Sequence, residues 1–385
     1  MATQQFDITV IGAGMAGLVC AQQLQQAGYS VLVLEKSRGV GGRIATRRVS
    51  GTRADHGVRY LEPTGKFLPQ LINFLESKKN GPASEEILQL WTDKIYELTQ
   101  PKGQLFPIAK RCYIAPHGMN SVGKFLAEGL DIWFSRRVQT MEPTAEKNWC
   151  LTLEITNDVS PPSPLRKGGD LGEIVKSKAV VLAIPAPQAL MILEKPVAEI
   201  PSEFIQRWGF VEYDPCITVM AGYSQGLQES LPQWQAIAFP NDDYLAWVGI
   251  DSSKRPHPTQ PVFVIQSSAK FATTHLDTTD LQPVGRQLLE HTAQQLMPWL
   301  NAPEWLQVHR WRYAFCRQPL AVSCLTTELP LPLVGAGDWC GGNNIEGAFA
   351  SGLAAANWVN SQLQQLPLPG ENFLSDIYKS YAKHL

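Results

Sequence analysis

The first part of the chain alternates between short apolar runs and one amphipathic stretch. Residues 6–11 (FDITVI) and 31–34 (VLVL) are rich in β-branched side chains, a pattern typical of buried parallel strands. Between them, residues 15–27 carry apolar side chains at helical spacing, and Gly28 can end that helix. A strand, a helix and a second strand within about thirty residues predict a βαβ unit.

The same patterns predict the later elements. Helices are indicated by two stretches within 66–98, by the end of 113–130, and by 283–300 and 345–364, and strands by 149–156, 179–184 and 331–336. Residues 157–178 are rich in proline, glycine and charge, which predicts a mobile hairpin tip or insertion. Residues 201–319 are rich in tryptophan and alternating patterns such as ITVMAGY, which indicates a second domain with an antiparallel sheet.

The turn after the first strand has the form GxGxxG. It consists of Gly12, Ala13, Gly14, Met15, Ala16 and Gly17. Gly12 permits the tight turn, Gly14 lets the backbone approach a pyrophosphate, and Gly17 lets the helix pack on the strand. Glu35 closes the second strand, where a carboxylate can accept hydrogen bonds from both ribose hydroxyls. These features predict a dinucleotide site, and the alternative is a glycine turn in a protein that binds no nucleotide.

Two further glycine-rich segments favour FAD over NAD. The first contains Lys36, Arg38, Gly42 and Arg43, and its arginine at 43 can pair with a phosphate through two parallel hydrogen bonds. The second, at 335–352, has Asp338 after a strand and then a helix that starts at Ile345 and continues with Glu346, Gly347 and Ala348. The N-terminus of such a helix stabilises negative charge on a reduced flavin. The alternatives are a basic surface loop and a helix that packs through small residues.

The combined pattern resembles the renalase-like branch of the flavin amine-oxidase superfamily. The segments that carry the resemblance are RGVGGRIATR from Arg38, DHGVRY from Asp55, YIAPHGM from Tyr113, DSSK from Asp251 and HRWRYA from His309. The resemblance implies a p-hydroxybenzoate-hydroxylase-like fold with non-covalent FAD. It also implies an oxidase that accepts hydride at flavin N5 from a small donor, such as dihydronicotinamide dinucleotide isomers, and is reoxidised by O2 with release of H2O2.

The resemblance also assigns residues to the cofactor. It places His56, Gly57 and Val58 in a loop at the flavin, Val138 at the adenine through its backbone, and Ala183 at the border of the cofactor. This chain departs from the family at two positions. It has Arg59 where the family often has glutamine, and Gln266 where the family often has histidine. We take Arg59 and Gln266 as the catalytic candidates, because a guanidinium favours an anionic reduced flavin and an amide lacks the near-neutral pKa of imidazole.

Other functions and roles remain open at the level of sequence. Amine or polyene oxidation on the same scaffold and a non-catalytic, redox-sensing FAD protein are the alternatives. His56 and His309 are more readily explained as hydrogen-bonded structural residues. Arg310 and Arg312 are equally well explained by an anionic substrate or by surface ion pairs. Cys340 is best explained as a buried free thiol.

The predicted fold class is α/β with an α+β insertion: an FAD-binding Rossmann-like domain with a second, antiparallel-sheet substrate domain. The first comprises residues 1–70, 112–200 and 320–385, and the second 71–111 and 201–319. A net charge of −2 gives no indication of a field that would attract nucleic acid or an anionic membrane. Seven cysteines without a CxxC pair predict neither a metal site nor a disulfide framework. Without a signal peptide or an apolar stretch long enough for a membrane span, the sequence predicts a cytoplasmic protein.

Overall fold

The computed structural model describes residues 4–80, 85–99, 103–155, 173–194, 200–327 and 331–381. Its helices are α1 (Met15–Gln26), α2 (Leu68–Glu76), α3 (Asn120–Leu126), α4 (Ala186–Leu193), α5 (Ser202–Gly209), α6 (Ala269–Thr274), α7 (Gln282–Gln295), α8 (Ile345–Gln362) and α9 (Phe373–Tyr381). Its strands are β1 (Gln4–Ile11), β2 (Val31–Glu35), β3 (Thr46–Val49), β4 (Thr52–Asp55), β5 (Lys79–Asn80), β6 (Glu85–Glu86), β7 (Gln89–Thr99), β8 (Gln104–Ile114), β9 (Asp131–Phe134), β10 (Arg136–Pro143), β11 (Trp149–Ile155), β12 (Glu173–Leu182), β13 (Glu212–Gly222), β14 (Ala236–Ala238), β15 (Leu245–Ile250), β16 (Val262–Ser267), β17 (Trp305–Gln318), β18 (Leu325–Thr326) and β19 (Leu333–Gly335).

The chain divides into two compact units. The first consists of residues 1–42, 123–212 and 316–385, and the second of 43–122 and 213–315. The predicted domains placed 201–212 and 316–319 in the second domain, whereas these residues belong to the first unit. They also placed 43–70 and 112–122 in the nucleotide-binding domain, whereas these segments belong to the second unit. The structure joins these segments to the second unit through packing: Ala54 contacts Met220 and Val264 in an apolar cluster. The sequence pattern does not reveal such a contact, because its partners lie far apart along the chain.

The first unit is built on a mainly parallel sheet. Among the described strands the order is β10-β11-β12-β1-β2-β9, with β19 beside the second half of β12 and β18 beside β19. Strands β12, β1, β2 and β9 run parallel, and Ile11 lies between Leu34 and Leu182 in the register. The carboxyl ends of β1, β2 and β12 therefore meet at one edge. The predicted βαβ unit is confirmed by β1, α1 and β2.

Helices α1 and α8 pack closely on each other in this unit. A Cβ atom at Gly352 would lie 2.5 Å from the carbonyl oxygen of Ala16, which is too short for a side chain. The small residues that the sequence shows in α8 are therefore needed where the two helices cross. As a result, the helix that follows the first glycine-rich turn and the helix that follows the last one are neighbours.

The second unit contains the other large sheet. The order of its described strands is β17-β13-β16-β15-β14-β7-β8. The pairs β13–β16, β16–β15, β15–β14 and β7–β8 are antiparallel, whereas β14 and β7 are parallel. One face packs on α6 and α7 through an apolar core that includes Phe263, Ile265, Phe271, Leu288 and Leu289. The predicted antiparallel sheet is confirmed, with one parallel pair that the sequence did not indicate.

Three predicted elements differ from the structure. The second predicted helix within 66–98 is wrong, because residues 89–99 form β7 and pair with β8. The apolar side chains of Trp91, Ile95 and Leu98 have helical spacing, and cross-strand pairing overrides it. Of the predicted insertion 157–178, residues 157–172 lie outside the described part, and 173–178 already belong to β12. The helix predicted at 283–300 ends earlier, at Gln295.

None of the helices given above combines the length and the apolar character that a bilayer-spanning helix requires.

Candidate functional site

The GxGxxG turn lies at the edge of the parallel sheet in the first unit. Gly12 has a φ of +107°, and a Cβ there would lie 2.5 Å from the carbonyl oxygen of Ala183. A Cβ at Gly17 would overlap the carbonyl oxygen of Gly12. At Gly14, the N-cap of α1, a Cβ would meet nothing within 4 Å. The turn is therefore closed toward the protein and open at the N-terminus of the helix, where Met15 and Ala16 form the first turn.

Glu35 is held at the end of β2 by two backbone groups. Its Oε2 accepts a hydrogen bond of 2.9 Å from the N–H of Ala13, and its Oε1 accepts one of 2.8 Å from the N–H of Ser37. The side chain is buried. Each carboxylate oxygen has two acceptor sites, so both oxygens retain capacity for a further donor. The carboxylate is thus oriented beside the glycine turn and can still accept hydrogen bonds from ribose hydroxyls.

The second glycine-rich segment folds back on the first turn. The N–H of Gly41 donates to the carbonyl oxygen of Ala13 at 2.9 Å, and a Cβ at Gly42 would lie 3.4 Å from the Cα of Gly14. Gly41 and Gly42 have φ values of +113° and +54°, which favour glycine. In the same loop, Lys36 and Arg38 are exposed, and Lys36 Nζ donates to Gln188 Oε1 at 3.1 Å.

The third segment joins β19 to α8. Asp338 is buried in this turn, and the N–H of Gly337 donates to Ser351 Oγ at 3.1 Å. Asn344 caps α8, because its Oδ1 accepts a hydrogen bond of 2.9 Å from the N–H of Gly347. Glu346 and Ala348 lie in the first turn of this helix. The predicted start of the helix at Ile345 is confirmed.

The first unit brings most of the predicted cofactor residues into one sheet and its two adjoining helices. These residues are Gly12, Ala13, Gly14, Met15, Ala16, Gly17, Glu35, Lys36, Arg38, Gly42, Val138, Ala183, Asp338, Glu346, Gly347 and Ala348. Val138 is buried in β10, and Ala183 follows β12. The open helix N-terminus at Gly14 and the oriented Glu35 carboxylate suit the pyrophosphate and ribose of FAD.

The other predicted cofactor residues, Arg43, His56, Gly57 and Val58, belong to the second unit. The N–H of Val58 donates to the carbonyl oxygen of Arg43 at 2.8 Å, and Arg43 Nη1 donates to the carbonyl oxygen of Ala314 at 3.2 Å. A Cβ at Gly57 would overlap the carbonyl oxygen of Arg43. Arg43 therefore packs against the predicted segment 55–60.

The two catalytic candidates contact each other in the second unit. Arg59 Nε donates to Gln266 Oε1 at 2.6 Å, and Gln266 Nε2 donates to the carbonyl oxygen of Gly57 at 2.7 Å. The Arg59 guanidinium lies over the ring of Trp247, with its central carbon 4.8 Å from the ring centroid. Burial lowers the pKa of the guanidinium. The site therefore contains an oriented cation on an aromatic face.

His56 lies in an aromatic cluster with His309 and Trp311. The rings of His56 and Trp311 are stacked with centroids 5.2 Å apart, and Trp311 Nε1 donates to the carbonyl oxygen of His56 at 2.9 Å. Burial lowers the pKa of His56 to about 3 and that of His309 to about 4, with further lowering by neighbouring positive charge. Both imidazoles are therefore neutral at pH 7 and poor bases, and the structural interpretation is favoured.

A buried group of charged side chains contacts the backbone of Arg59; it consists of Asp55, Asp251, Lys254 and Arg255. Arg255 Nη2 donates to Asp55 Oδ2 at 2.8 Å and to Asp251 Oδ2 at 2.7 Å, and Lys254 Nζ lies 2.9 Å from Asp251 Oδ1. Burial alone would raise the pKa of Asp55, but Arg255 and Lys254 lower it to about 2. Lys254 Nζ also donates to the carbonyl oxygen of Arg59 at 2.9 Å. The charge group thus supports the Arg59 backbone.

Three remaining candidates have ordinary surroundings. Arg312 Nη2 pairs with Asp277 Oδ1 at 2.9 Å on the surface, and Arg310 Nη1 donates to the carbonyl oxygen of Thr278 at 2.6 Å. Both arginines therefore make local contacts, as the surface interpretation expects. Cys340 is a buried free cysteine, and burial raises its pKa to about 12. Among the residues that the structure describes, no cluster of metal-ligating side chains is present.

Sequence reasoning missed the interactions among these residues. Arg59 and Gln266 were both singled out, but they are separated by 207 positions, and their hydrogen bond has no signal in one sequence. The positions of Trp247 under Arg59 and of Lys254 at its carbonyl group were likewise not indicated. The alternation within one strand shows which face of the sheet a side chain occupies. It does not show which residues from distant parts of the chain pack on that face.

The fold and the nucleotide site define an FAD-binding oxidoreductase. A model of the NAD(P)-binding Rossmann-like domain matches residues 10–77, and a model described as flavin containing amine oxidoreductase matches residues 74–360. The chain belongs to this flavin-containing amine oxidoreductase family. Family membership implies FAD as the cofactor.

Relatives with assigned functions match short segments. A Mycobacterium tuberculosis protein named "Putative flavin-containing monoamine oxidase AofH" is 48% identical over 58 residues, which are 15% of this chain and 13% of that protein. An L-amino-acid oxidase of Crotalus adamanteus is 38% identical over 78 residues, 20% of this chain and 15% of that protein. These alignments therefore span less than a sixth of the length of each relative.

Solved structures match over nearly the whole chain at low identity. Putrescine oxidase bound to putrescine superimposes with a TM-score of 0.67 at 16% identity, covering 94% of this chain and 100% of that one. Cyclohexylamine oxidase from Brevibacterium oxydans gives 0.66 at 14% identity, with 93% and 99% covered. At these identities the likeness shows the fold.

Proposed function

We propose that the protein is a renalase-like FAD-dependent oxidase that oxidises a small hydride donor, such as a dihydronicotinamide dinucleotide isomer, with O2 as the final acceptor. FAD supplies, when bound, the hydride-accepting and O2-reducing chemistry. The protein supplies cofactor binding, donor orientation and a charged environment. Arg59 and Gln266 are the residues that we propose act on the donor.

The cofactor is proposed to bind along the first unit. Backbone N–H groups at Gly14 and the first turn of α1 would bind the pyrophosphate, because the N-terminus of a helix carries partial positive charge. Glu35 would accept hydrogen bonds from the adenosine ribose. Asp338 and the capped N-terminus of α8 are proposed for the ribityl and flavin portion. Val138 and Ala183 are proposed contacts of the adenine and of the cofactor border.

The pairing of Arg59 with Gln266 is the observation that favours a hydride donor over an amine. Neither an arginine nor a glutamine side chain accepts a proton at neutral pH. His56 is a poor base because burial lowers its pKa to about 3. A dihydronicotinamide releases hydride without losing a proton to the protein, whereas a protonated amine must first be deprotonated. A donor that needs no protein base therefore fits the residues better.

Amine oxidation is the second candidate. It is favoured by the structural likeness to putrescine oxidase and cyclohexylamine oxidase, whose names specify amine substrates. Against it, a fixed guanidinium on Trp247 repels an ammonium group, the form in which most amines exist at pH 7. The third candidate is a redox sensor, which would bind FAD but would not turn over a donor.

The test is anaerobic reduction of the purified protein with a panel of donors. The panel contains dihydronicotinamide dinucleotide isomers, NADH, NADPH, putrescine and cyclohexylamine, and the loss of flavin absorbance is followed. We expect rapid bleaching by a dihydronicotinamide and none by the amines. Bleaching by the amines alone would replace the proposal by amine oxidation, and no bleaching by any donor would favour the sensor.

A further inference from the structure

We propose that Arg59 forms an oxyanion-binding subsite for the donor, which takes a carboxylate or phosphate group on the two Nη atoms of its guanidinium. The inference rests on the proposed function, since it names the chemical class of the donor. It concerns a position at which this chain departs from the family that it resembles.

The orientation of Arg59 is set by contacts that leave its outer edge available. Nε donates to Gln266 Oε1 at 2.6 Å, and Gln266 is itself oriented by the carbonyl oxygen of Gly57 at 2.7 Å. The Arg59 carbonyl oxygen accepts a hydrogen bond of 2.9 Å from Lys254 Nζ. Within the described residues, Nε is the one nitrogen of this guanidinium that donates a hydrogen bond. Neither Nη atom is completely enclosed by protein atoms.

Two aromatic rings also restrict the position of the guanidinium. Its central carbon lies 4.8 Å from the centroid of the Trp247 ring and 5.9 Å from that of the Phe315 ring. Phe315 is 47% exposed, an unusual state for a large apolar side chain. A cation that contacts two aromatic rings is pre-oriented, so less side-chain entropy is lost when a ligand binds.

The charge of Arg59 is not neutralised within the described residues. No aspartate or glutamate there forms an ion pair with it, and burial lowers its pKa. Two arginines of the same unit have such counter-ions. Arg255 pairs with Asp55 and Asp251, and Arg312 pairs with Asp277. A desolvated cation without a counter-ion is costly, which is the state expected of a group whose partner is a ligand.

The free edge of a guanidinium matches a carboxylate or a phosphate. Two parallel N–H groups bind two oxygens of such a group, and this geometry gives both affinity and specificity. The aromatic rings of Trp247 and Phe315 beside the cation suit a flat, apolar portion of the same ligand. The geometry therefore points to a donor that combines an aromatic or dihydropyridine ring with an oxyanion.

Binding without turnover provides the first test. Benzoate, phenyl phosphate and uncharged benzamide share a benzene ring, and each is titrated calorimetrically into the FAD-loaded protein. We expect at least one of the two anions to bind about 10-fold or more tightly than benzamide, since hydrogen bonds to a charged acceptor are stronger than those to a neutral one. Comparison of the two anions shows whether a carboxylate or a phosphate is preferred. Equal binding of all three compounds overturns the inference.

Substitutions at Arg59 test whether this residue causes the preference for an anion over benzamide. Arg59→Gln is expected to abolish it, and Arg59→Lys to retain part of it, because lysine keeps the charge but loses the planar pair of donors. If Arg59→Gln does not fold, the partial loss in Arg59→Lys carries the same test. Arg312→Gln is the matched control, since it removes an exposed arginine of the same unit, and it should leave the preference unchanged. A preference that survives both Arg59 substitutions contradicts the inference.

Donor kinetics separate this inference from the proposed function. Reduced nicotinamide mononucleotide carries a phosphate that the reduced nicotinamide riboside lacks, and both are used for anaerobic flavin reduction. We expect Arg59→Gln to raise the half-saturating concentration of the mononucleotide about 10- to 100-fold and to change that of the riboside much less. An equal effect on both overturns the inference and leaves the function intact. If neither donor reduces the flavin while the benzoate or phenyl phosphate preference persists, the function fails and the subsite stands.

Discussion

At the scale of single residues, the structure shows two differently supported charges. Glu35 is a buried carboxylate whose oxygens accept hydrogen bonds from the N–H groups of Ala13 and Ser37. Arg59 is a cation held by an amide and an aromatic ring. Glu35 could be singled out from its place after the second strand. Arg59 could be singled out only as a departure from a resembled pattern, and its surroundings required the folded chain.

Replacement of Glu35 tests its role in cofactor binding. Glu35→Gln is expected to weaken FAD binding about 10- to 100-fold, because an amide has one acceptor oxygen and no charge for the ribose hydroxyls. The measurement is the FAD dissociation constant by fluorescence titration. Glu142→Gln, an exposed substitution in the same unit, serves as the control. An unchanged constant in Glu35→Gln would remove Glu35 from the site.

At the scale of elements, close packing and buried ion pairs determine how the segments join. Helix α8 crosses α1 at a glycine, and strand β4 is joined to the turn after β15 by the ion pair between Asp55 and Arg255. The β-strand and helix periodicities predicted most of these elements. The ion pairs were not predicted, since complementary charges occur at many positions and only spatial proximity selects between them.

Gly352 tests the α1–α8 crossing. Gly352→Val is expected to destabilise the protein by about 2 kcal/mol or more, because a side chain there would overlap the carbonyl oxygen of Ala16. FAD affinity should fall with it, since both helices begin at the proposed cofactor segments. Gly209→Ala is the control, as a Cβ at Gly209 meets nothing within 4 Å. Thermal unfolding and FAD titration measure both effects, and equal behaviour of the two variants would contradict the packing argument.

The pH dependence of stability tests the buried charge group. The pKa of Asp55 is lowered to about 2 in the folded protein, below an unfolded value near 3.9. Its contribution to stability is therefore present above about pH 4 and is lost as the pH falls toward 2. Asp55→Asn should destabilise the protein at pH 7 by about 3 kcal/mol and should reduce the acid-dependent loss.

The control for this experiment is Asp277→Asn, which removes the exposed ion pair with Arg312 and should cost less than about 1 kcal/mol. The measurement is the free energy of unfolding by denaturant between pH 2 and pH 7. If native protein and Asp55→Asn show the same pH dependence, the ion-pair account is refuted.

At the scale of the whole molecule, the proposed cofactor site leads us to expect that bound FAD stabilises the folded protein. Segments from the start, the middle and the end of the chain line the proposed cofactor site of the first unit, so a bound FAD would join them. A ligand that binds the folded state stabilises it by about 2.7 kcal/mol at a concentration 100 times its dissociation constant. The melting temperature should accordingly rise with FAD concentration.

FMN provides the discriminating comparison for that prediction. It lacks the adenosine that Glu35 and the GxGxxG turn are proposed to bind, so it should raise the melting temperature far less than FAD at equal concentration. The measurement is differential scanning fluorimetry or calorimetry of cofactor-free protein. An equal shift with both flavins would contradict a dinucleotide site in the first unit.

The βαβ unit, the dinucleotide fingerprint and the presence of a second sheet could all be predicted from the order of the residues. These depend on local spacing: alternate residues share one face of a strand, apolar residues at helical spacing share one face of a helix, and glycine alone permits the tight turns. Three other features became visible only in the folded chain: residues 43–70 join the second unit, 89–99 form a strand, and Arg59 contacts Gln266. Those outcomes depend on contacts between residues far apart in the chain, whose energies no local pattern contains.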